Sequence, residues 1–111
     1  MLRGYTEIHN LGHKDVADIF TAPVLVEEKI DGSQFSFGIN TAGILQCRSK
    51  GREVPLLCHD KMFNAATTAA EQLQSELRPD YIYRAEYLAK PKHNRLKYNR
   101  IPKNNLIIFD I

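Results

Sequence analysis

The chain has 111 residues, of which 43% are apolar or aromatic and 25% charged, with a formal net charge of +2 at neutral pH. That length suits one domain with a modest core, and the composition is that of a soluble globular protein. The small net charge argues neither for nor against nucleic acid, and no run is long and apolar enough to span a bilayer as a helix.

Taken in chain order, "HKDVADIF" (residues 13–20) sets Val16, Ile19 and Phe20 at helical spacing, which predicts a short helix ended by Pro23. "VLVEEKI" and "SQFSFGI" are two strand-like segments joined at Asp31-Gly32, the second alternating Phe35 and Phe37 with Gln34, Ser36 and Gly38. "GILQCRS" is a third strand, reached through turn residues 40–43. "KMFNAATTAAEQLQSEL" (residues 61–77) is the clearest helix, with Asp60 as N-cap and Met62, Ala66, Ala69, Ala70, Leu73 and Leu77 on one face, stopped by Pro79. "YIYRAEYL" reads as a strand with Ile82, Arg84, Glu86 and Leu88 on one side and Tyr81, Tyr83, Ala85 and Tyr87 on the other. A basic loop follows, and "NLIIFDI" is a final strand.

The order helix, three strands, helix, strand, basic loop, strand favours an α+β domain with antiparallel sheet and flanking helices. The chain stops inside an apolar strand, so residues 1–111 are expected to be the N-terminal part of a larger domain. Cys47 and Cys58 lack CxxC spacing and fit reduced thiols, and "MLRGYTEIHN" lacks a signal-peptide core, which together point to the cytoplasm. His59 and His93 have no metal-ligand spacing with the cysteines, so no zinc site is expected.

Lys29 raises the main chemical question. It stands in K-x-D-G (Lys29, Ile30, Asp31, Gly32) among the carboxylates Glu27, Glu28 and Asp31. A charged surface hairpin is one reading. The other is a nucleophilic amine, its pKa lowered from about 10.4 by burial or neighbouring cations. Gly32 lacks a Cβ and would let a ligand approach the backbone, while Asp31 would orient the amine or accept from a sugar hydroxyl. Similarly, Arg48 can offer a planar fork to phosphate or simply be a solvated strand end. Glu86, among apolar and aromatic neighbours, needs a partner, which a ribose or Arg84 could supply. Phe109 is a core residue or a stacking surface.

"EKIDGSQFSF" resembles the nucleotidyl-transfer motif of the covalent nucleotidyltransferases, the ATP-dependent ligases and mRNA capping enzymes. It is closer to the RNA ligase branch, because Gln34 stands where DNA ligases commonly have arginine. "QCRSKGRE", "YRAEYL" and "LIIFDI" resemble the family's next three motifs, in order. The resemblance implies an ATP-grasp-like nucleotidyltransferase domain in which Lys29 attacks the ATP α-phosphate to give a lysyl–AMP intermediate. By the same resemblance, Glu28, Ile30, Asp31, Gly32, Arg48, Glu86 and Phe109 bind the nucleotide, with Arg52 as a reserve for Arg48 and Asp110 in a weaker polar or metal-linked role. The implied cofactors are ATP and Mg2+ or Mn2+, with metal ligands unassigned. AMP would then pass to a 5′-phosphate end, and a 3′-hydroxyl would displace it, as in RNA repair.

Residues 90–103 hold six cations and no carboxylate, leaving the remainder of the chain net acidic. Lys90, Lys92, Arg95, Lys97 and Arg100, with Arg52 as a further contact, suit a polynucleotide backbone, RNA in preference to DNA, and the interleaved His93 and Tyr98 could stack a base; a solvated loop, or lysines contacting ATP phosphates, has the same composition. The family's fourth and fifth motifs, on the metal and phosphate side, do not occur in residues 1–111, so poor adenylation by these residues alone is expected. A DNA ligase, a GTP-using capping enzyme, a non-catalytic RNA-binding module and a bland interaction domain are the alternatives.

Overall fold

The computed structural model describes residues 2–56 and 61–111, so Leu57, Cys58, His59 and the expected N-cap Asp60 lie outside the described residues. The fold is α+β. Among the described residues five strands, β1 (Ser33–Ile39), β2 (Leu45–Ser49), β3 (Glu53–Val54), β4 (Ile82–Tyr87) and β5 (Leu106–Asp110), form one antiparallel sheet in the order β3-β2-β1-β4-β5. One α-helix, α1 (Asn64–Leu73), packs against its apolar side and continues into a 3-10 turn, Gln74–Glu76. No described helix is long and apolar enough to cross a membrane.

The alternation in "SQFSFGI" makes β1 the central strand. Phe35 and Phe37 are fully buried, opposite Ala85 and Tyr83 of β4 and Ser49 and Cys47 of β2. They form the core with Leu45, Val54 and Tyr87, and with Phe63, Ala66 and Ala70 from the helical segment. Alanines on the helix let it approach the sheet closely, and the aromatic rings fill the remaining space. Phe35 lies 5.8 Å from the Phe63 ring, and Phe37 stacks 5.5 Å from Tyr83. Burial pushes the Cys47 thiol up to about 12, so it behaves as a small apolar residue.

The opposite side of the sheet is polar. Arg48, Ser36, Arg84 and Asp110 stand in register across β2, β1, β4 and β5, beside a second row of Gln34, Glu86 and Ile107. The N-terminal segment lies over the first row. Arg84 Nη1 donates to the Arg3 carbonyl at 2.6 Å and to Ser36 Oγ at 3.0 Å, and Arg48 Nη1 donates to the Leu2 carbonyl at 3.5 Å. The Tyr5 hydroxyl donates to Asp110 Oδ2 at 2.8 Å.

Three expectations need correction. "VLVEEKI" is not a strand: both edges of β1 are taken, by β2 and β4, and Leu25 and Val26 remain 83% and 84% exposed. The third early strand is instead the short β3, which pairs Glu53 with Arg48 and Val54 with Cys47. The helix over residues 13–20 is two 3-10 turns, Lys14–Val16 and Ile19–Thr21, neither with a buried residue to anchor a longer helix. At the start of α1 the capping position is Phe63, whose ring is buried in the core, while Met62 is exposed.

Candidate nucleotide site

Residues 27–32 lead into β1, and residues 27–30 share a cleft with Glu86 of β4 and residues 107–109 of β5. Gly32 is required there by space rather than by backbone angle. A Cβ at Gly32 would collide with the Tyr87 carbonyl oxygen and lie 3.1 Å from its carbon. The close approach that Gly32 permits is thus to strand β4. It lets the Gly32 amide donate to Glu86 Oε2 at 3.0 Å, which ties the K-x-D-G segment to the middle of the sheet.

Beside this tie lies a cleft of about 550 Å³, lined by Glu27, Glu28, Lys29 and Ile30, by Glu86, by Ile107, Ile108 and Phe109, and by Ile8 at the N-terminal side. Its size falls within the range of small-molecule sites, and its walls mix apolar side chains with a few charged groups. Glu86 is half-buried. Burial raises its carboxyl above the ordinary value, against the opposing effects of the Gly32 amide and the Lys29 charge, while Asp31 pushes it further up.

Phe109 comes to the cleft through an irregular strand. β5 pairs Ile107 with Glu86 and Ile108 with Ala85, but Asp110 rather than Phe109 faces Arg84, so Phe109 is the extra residue of a bulge. In an unbroken ladder Asp110 would oppose Tyr83 on the core side. The bulge keeps both Phe109 and Asp110 with Tyr5, whose ring meets Phe109 edge-on at 5.4 Å and whose hydroxyl holds Asp110. Nothing in the alternation of "NLIIFDI" signals this.

No family model, curated protein or solved structure matches this chain. Site chemistry therefore rests on the residues themselves.

Of the residues singled out in the sequence, Glu28, Lys29, Ile30, Glu86 and Phe109 share the cleft. Arg48 does not line it. It stands on the same polar side of the sheet, on the far side of β1 from Glu86, with its guanidinium against residues 2–4. Arg52 sits in the β2–β3 connection and donates to the Glu53 carbonyl at 3.3 Å.

Asp31 acts differently from its expected role toward the amine or a sugar. Its Oδ2 accepts from the backbone amides of Arg95 and Leu96, both at 2.8 Å, and its own amide donates to the Tyr98 hydroxyl at 2.8 Å. The Leu96 and Arg95 amides hold the Asp31 carboxyl below its ordinary value. Its share of stability is accordingly present above the unfolded value of 3.8 and disappears as pH falls through the lowered one.

The basic loop clasps the same turn at two more points. Asn94 Nδ2 donates to the Gly32 carbonyl at 2.8 Å. His93 Nδ1 accepts from the Ala89 amide at 3.1 Å, so the proton resides on Nε2, which donates to Ser33 Oγ at 2.7 Å. Sequence composition had offered His93 and Tyr98 as surfaces for a base. Both are occupied in fastening the loop to residues 31–33, while Lys90, Lys92, Arg95, Lys97 and Arg100 are exposed. Tyr98→Phe, which removes the acceptor for the Asp31 amide, is expected to speed tryptic cleavage within residues 90–100 several-fold. An unchanged digestion rate would show that the clasp does not depend on this hydroxyl.

A raised carboxyl has the opposite sign from Asp31. The contribution of Glu86 to stability is fully present below its unfolded value of 4.5 and is lost as pH rises through the higher folded value. Urea titrations of the wild type and Glu86→Gln should therefore diverge as pH increases from about 4 to 7, the wild type losing stability relative to the variant. Parallel pH profiles would remove burial as the dominant influence on Glu86.

Proposed function

We propose that this chain carries the nucleoside side of an ATP-dependent nucleotidyltransferase of the RNA ligase type, with Lys29 as the attacking amine. The finer fold assignment, part of an ATP-grasp-like nucleotidyltransferase domain, belongs to the same proposal. One observation carries it: Lys29, Glu86 and Phe109, taken from three separate stretches of sequence, line one cleft of nucleotide size.

The chemistry follows from what each group can do. The unprotonated Lys29 amine attacks the α-phosphorus in line. A P–N bond forms, the bond to the leaving oxygen breaks, pyrophosphate departs with the electron pair, and the amine loses a proton. Glu86, held through Oε2 by the Gly32 amide, accepts from ribose hydroxyls. Phe109 and the isoleucines give the adenine an apolar enclosure. Glu27 and Glu28 offer the hard oxygen ligands that Mg2+ takes in company with nucleotide phosphates, and that ion would neutralise phosphate charge. The exposed cations of residues 90–100 form a surface for RNA phosphates, fastened to the K-x-D-G turn by Asp31.

The test is transfer of label from α-labelled ATP to protein with Mg2+. Label on the wild-type protein is expected. Lys29→Ala should abolish it, while ATP still binds reversibly. Equal labelling of Lys29→Ala would overturn the assignment of the nucleophile, and failure of both proteins to bind ATP would overturn the nucleotide site. GTP in place of ATP, and DNA ends in place of RNA, separate the capping-enzyme and DNA-ligase readings. The exposed cations alone favour a second reading, an RNA-binding module, in which Lys29→Ala leaves every measurable activity intact.

A further inference from the structure

A different set of side chains gathers in the N-terminal segment, outside the cleft residues discussed so far. The sequence "HNLGHKD" makes a turn in which the His13 amide donates to the Asn10 carbonyl at 3.0 Å. Gly12 sits in it at φ +96°, a conformation that side chains rarely adopt. This turn folds the four-residue spacing of His9 and His13 back on itself. Their imidazoles stack with centroids 4.1 Å apart and planes 16° from parallel. The following 3-10 turn, Lys14–Val16, brings Asp15 to the same place.

Asp15 Oδ2 lies 3.6 Å from His9 Nε2 and 3.8 Å from His13 Nδ1. One ligand atom from each of the three residues falls within 4.8 Å of the other two. An ion bound tetrahedrally to nitrogen and oxygen at about 2.1 Å needs its ligand atoms about 3.4 Å apart. The two carboxylate separations are within a few tenths of an ångström of that value. The stacked rings hold their lone pairs in nearly parallel planes, so binding one ion requires the solvent-accessible imidazoles to turn out of their stack.

We propose that His9, His13 and Asp15 form a site for a divalent transition-metal ion of the zinc class. Two imidazoles and one carboxylate favour Zn2+, Co2+ or Ni2+ over Mg2+ and Ca2+, which prefer oxygen alone. A water completes the fourth position. His13 Nδ1 accepts from the Asp15 amide at 3.0 Å, so binding through this nitrogen exchanges a hydrogen bond for a coordinate bond. Ile8, next to His9, lines the cleft, so the ion would fix that stretch of cleft wall. The site is independent of the nucleotide proposal, and it differs from the cysteine–histidine combinations that the sequence spacing excludes.

The test is calorimetric titration of the untagged protein with Zn2+ at neutral pH, in the presence of excess Mg2+. One equivalent is expected to bind. His9→Ala and His13→Ala should each weaken binding by about tenfold or more, since even loss of a residue that only supports a ligand has an effect of that order. Affinity should also fall steeply toward about pH 5, where imidazoles are protonated. Both histidines are solvent-accessible, so these variants retain the fold, which the urea midpoint checks. With Co2+ in place of Zn2+, the visible spectrum should show nitrogen and oxygen ligands and no thiolate charge-transfer band. Absence of Zn2+ uptake by the wild type, wild-type affinity in either histidine variant, or a thiolate band would each overturn the site.

Discussion

Gly32→Ala is expected to lower stability by about 3 kcal/mol and to detach the K-x-D-G segment from the sheet. The added methyl would meet the Tyr87 carbonyl at the end of β4 and contact the fully buried Leu88 at 3.3 Å. Neither partner can yield cheaply: Tyr87 ends β4, which is held between β1 and β5, and Leu88 exchanges two hydrogen bonds with Asn105. The turn must therefore move, and with it go the Gly32–Glu86 bond, the Asn94–Gly32 bond and the registration of Lys29 against the cleft. Gly32 immediately precedes β1, and Gly38→Ala, inside that strand, offers a comparison. Its Cβ would come 2.8 Å from the Tyr81 carbonyl, which precedes β4 and can shift, so a smaller loss is expected. Urea midpoints for the two variants measure this. Equal midpoints, or an unchanged Gly32→Ala protein, would contradict the close-approach explanation.

The second large effect separates core aromatics from cleft aromatics. Phe35→Ala removes a fully buried ring that contacts Phe37 and Phe63, and should cost about 4 kcal/mol. Against a total of about 5–15 kcal/mol for a domain, such a loss is a large fraction of the stability. Phe109→Ala removes a ring that is only partly buried, on an edge strand, with Tyr5 as its ring partner. It should cost about 1 kcal/mol, yet weaken ATP binding by about tenfold if adenine lies against it. A stability loss for Phe109→Ala as large as that for Phe35→Ala would make Phe109 a core residue. Unchanged ATP affinity would leave the adenine without its proposed surface.

These contrasts follow the line between what sequence pattern carried and what it did not. Alternation in "SQFSFGI" and "YIYRAEYL" located β1 and β4, and even sorted Arg84 and Glu86 from Tyr83, Ala85 and Tyr87, because burial on one side of a sheet imposes a period of two. Alanine-rich periodicity located α1 in the same way. "VLVEEKI" has the right residues for a strand, but both sides of β1, its expected partner, are taken by β2 and β4, and strand formation depends on a neighbour more than on propensity. A two-residue strand such as β3 is too short for any period to register.

The cleft was partly legible. Lys29 stood out through its K-x-D-G setting, and Glu86 as a charge among apolar and aromatic neighbours. The position of Phe109 depends on a bulge, and the use of Asp31 on a clasp spanning more than sixty residues, neither of which local pattern encodes. The stacked pair His9–His13 depends on a turn at Gly12 whose two histidines, read singly, carried no signal.

The central claim is that one nucleoside pocket joins residues from three separate segments. Backbone amide shifts recorded during titration of the protein with ATP test this most directly. Saturable shifts are expected to cluster at residues 27–32, at Glu86 and at residues 107–109, with Glu86→Ala and Phe109→Ala weakening all three groups together. Shifts confined to the basic residues 90–100, or no saturable shift at all, would contradict it.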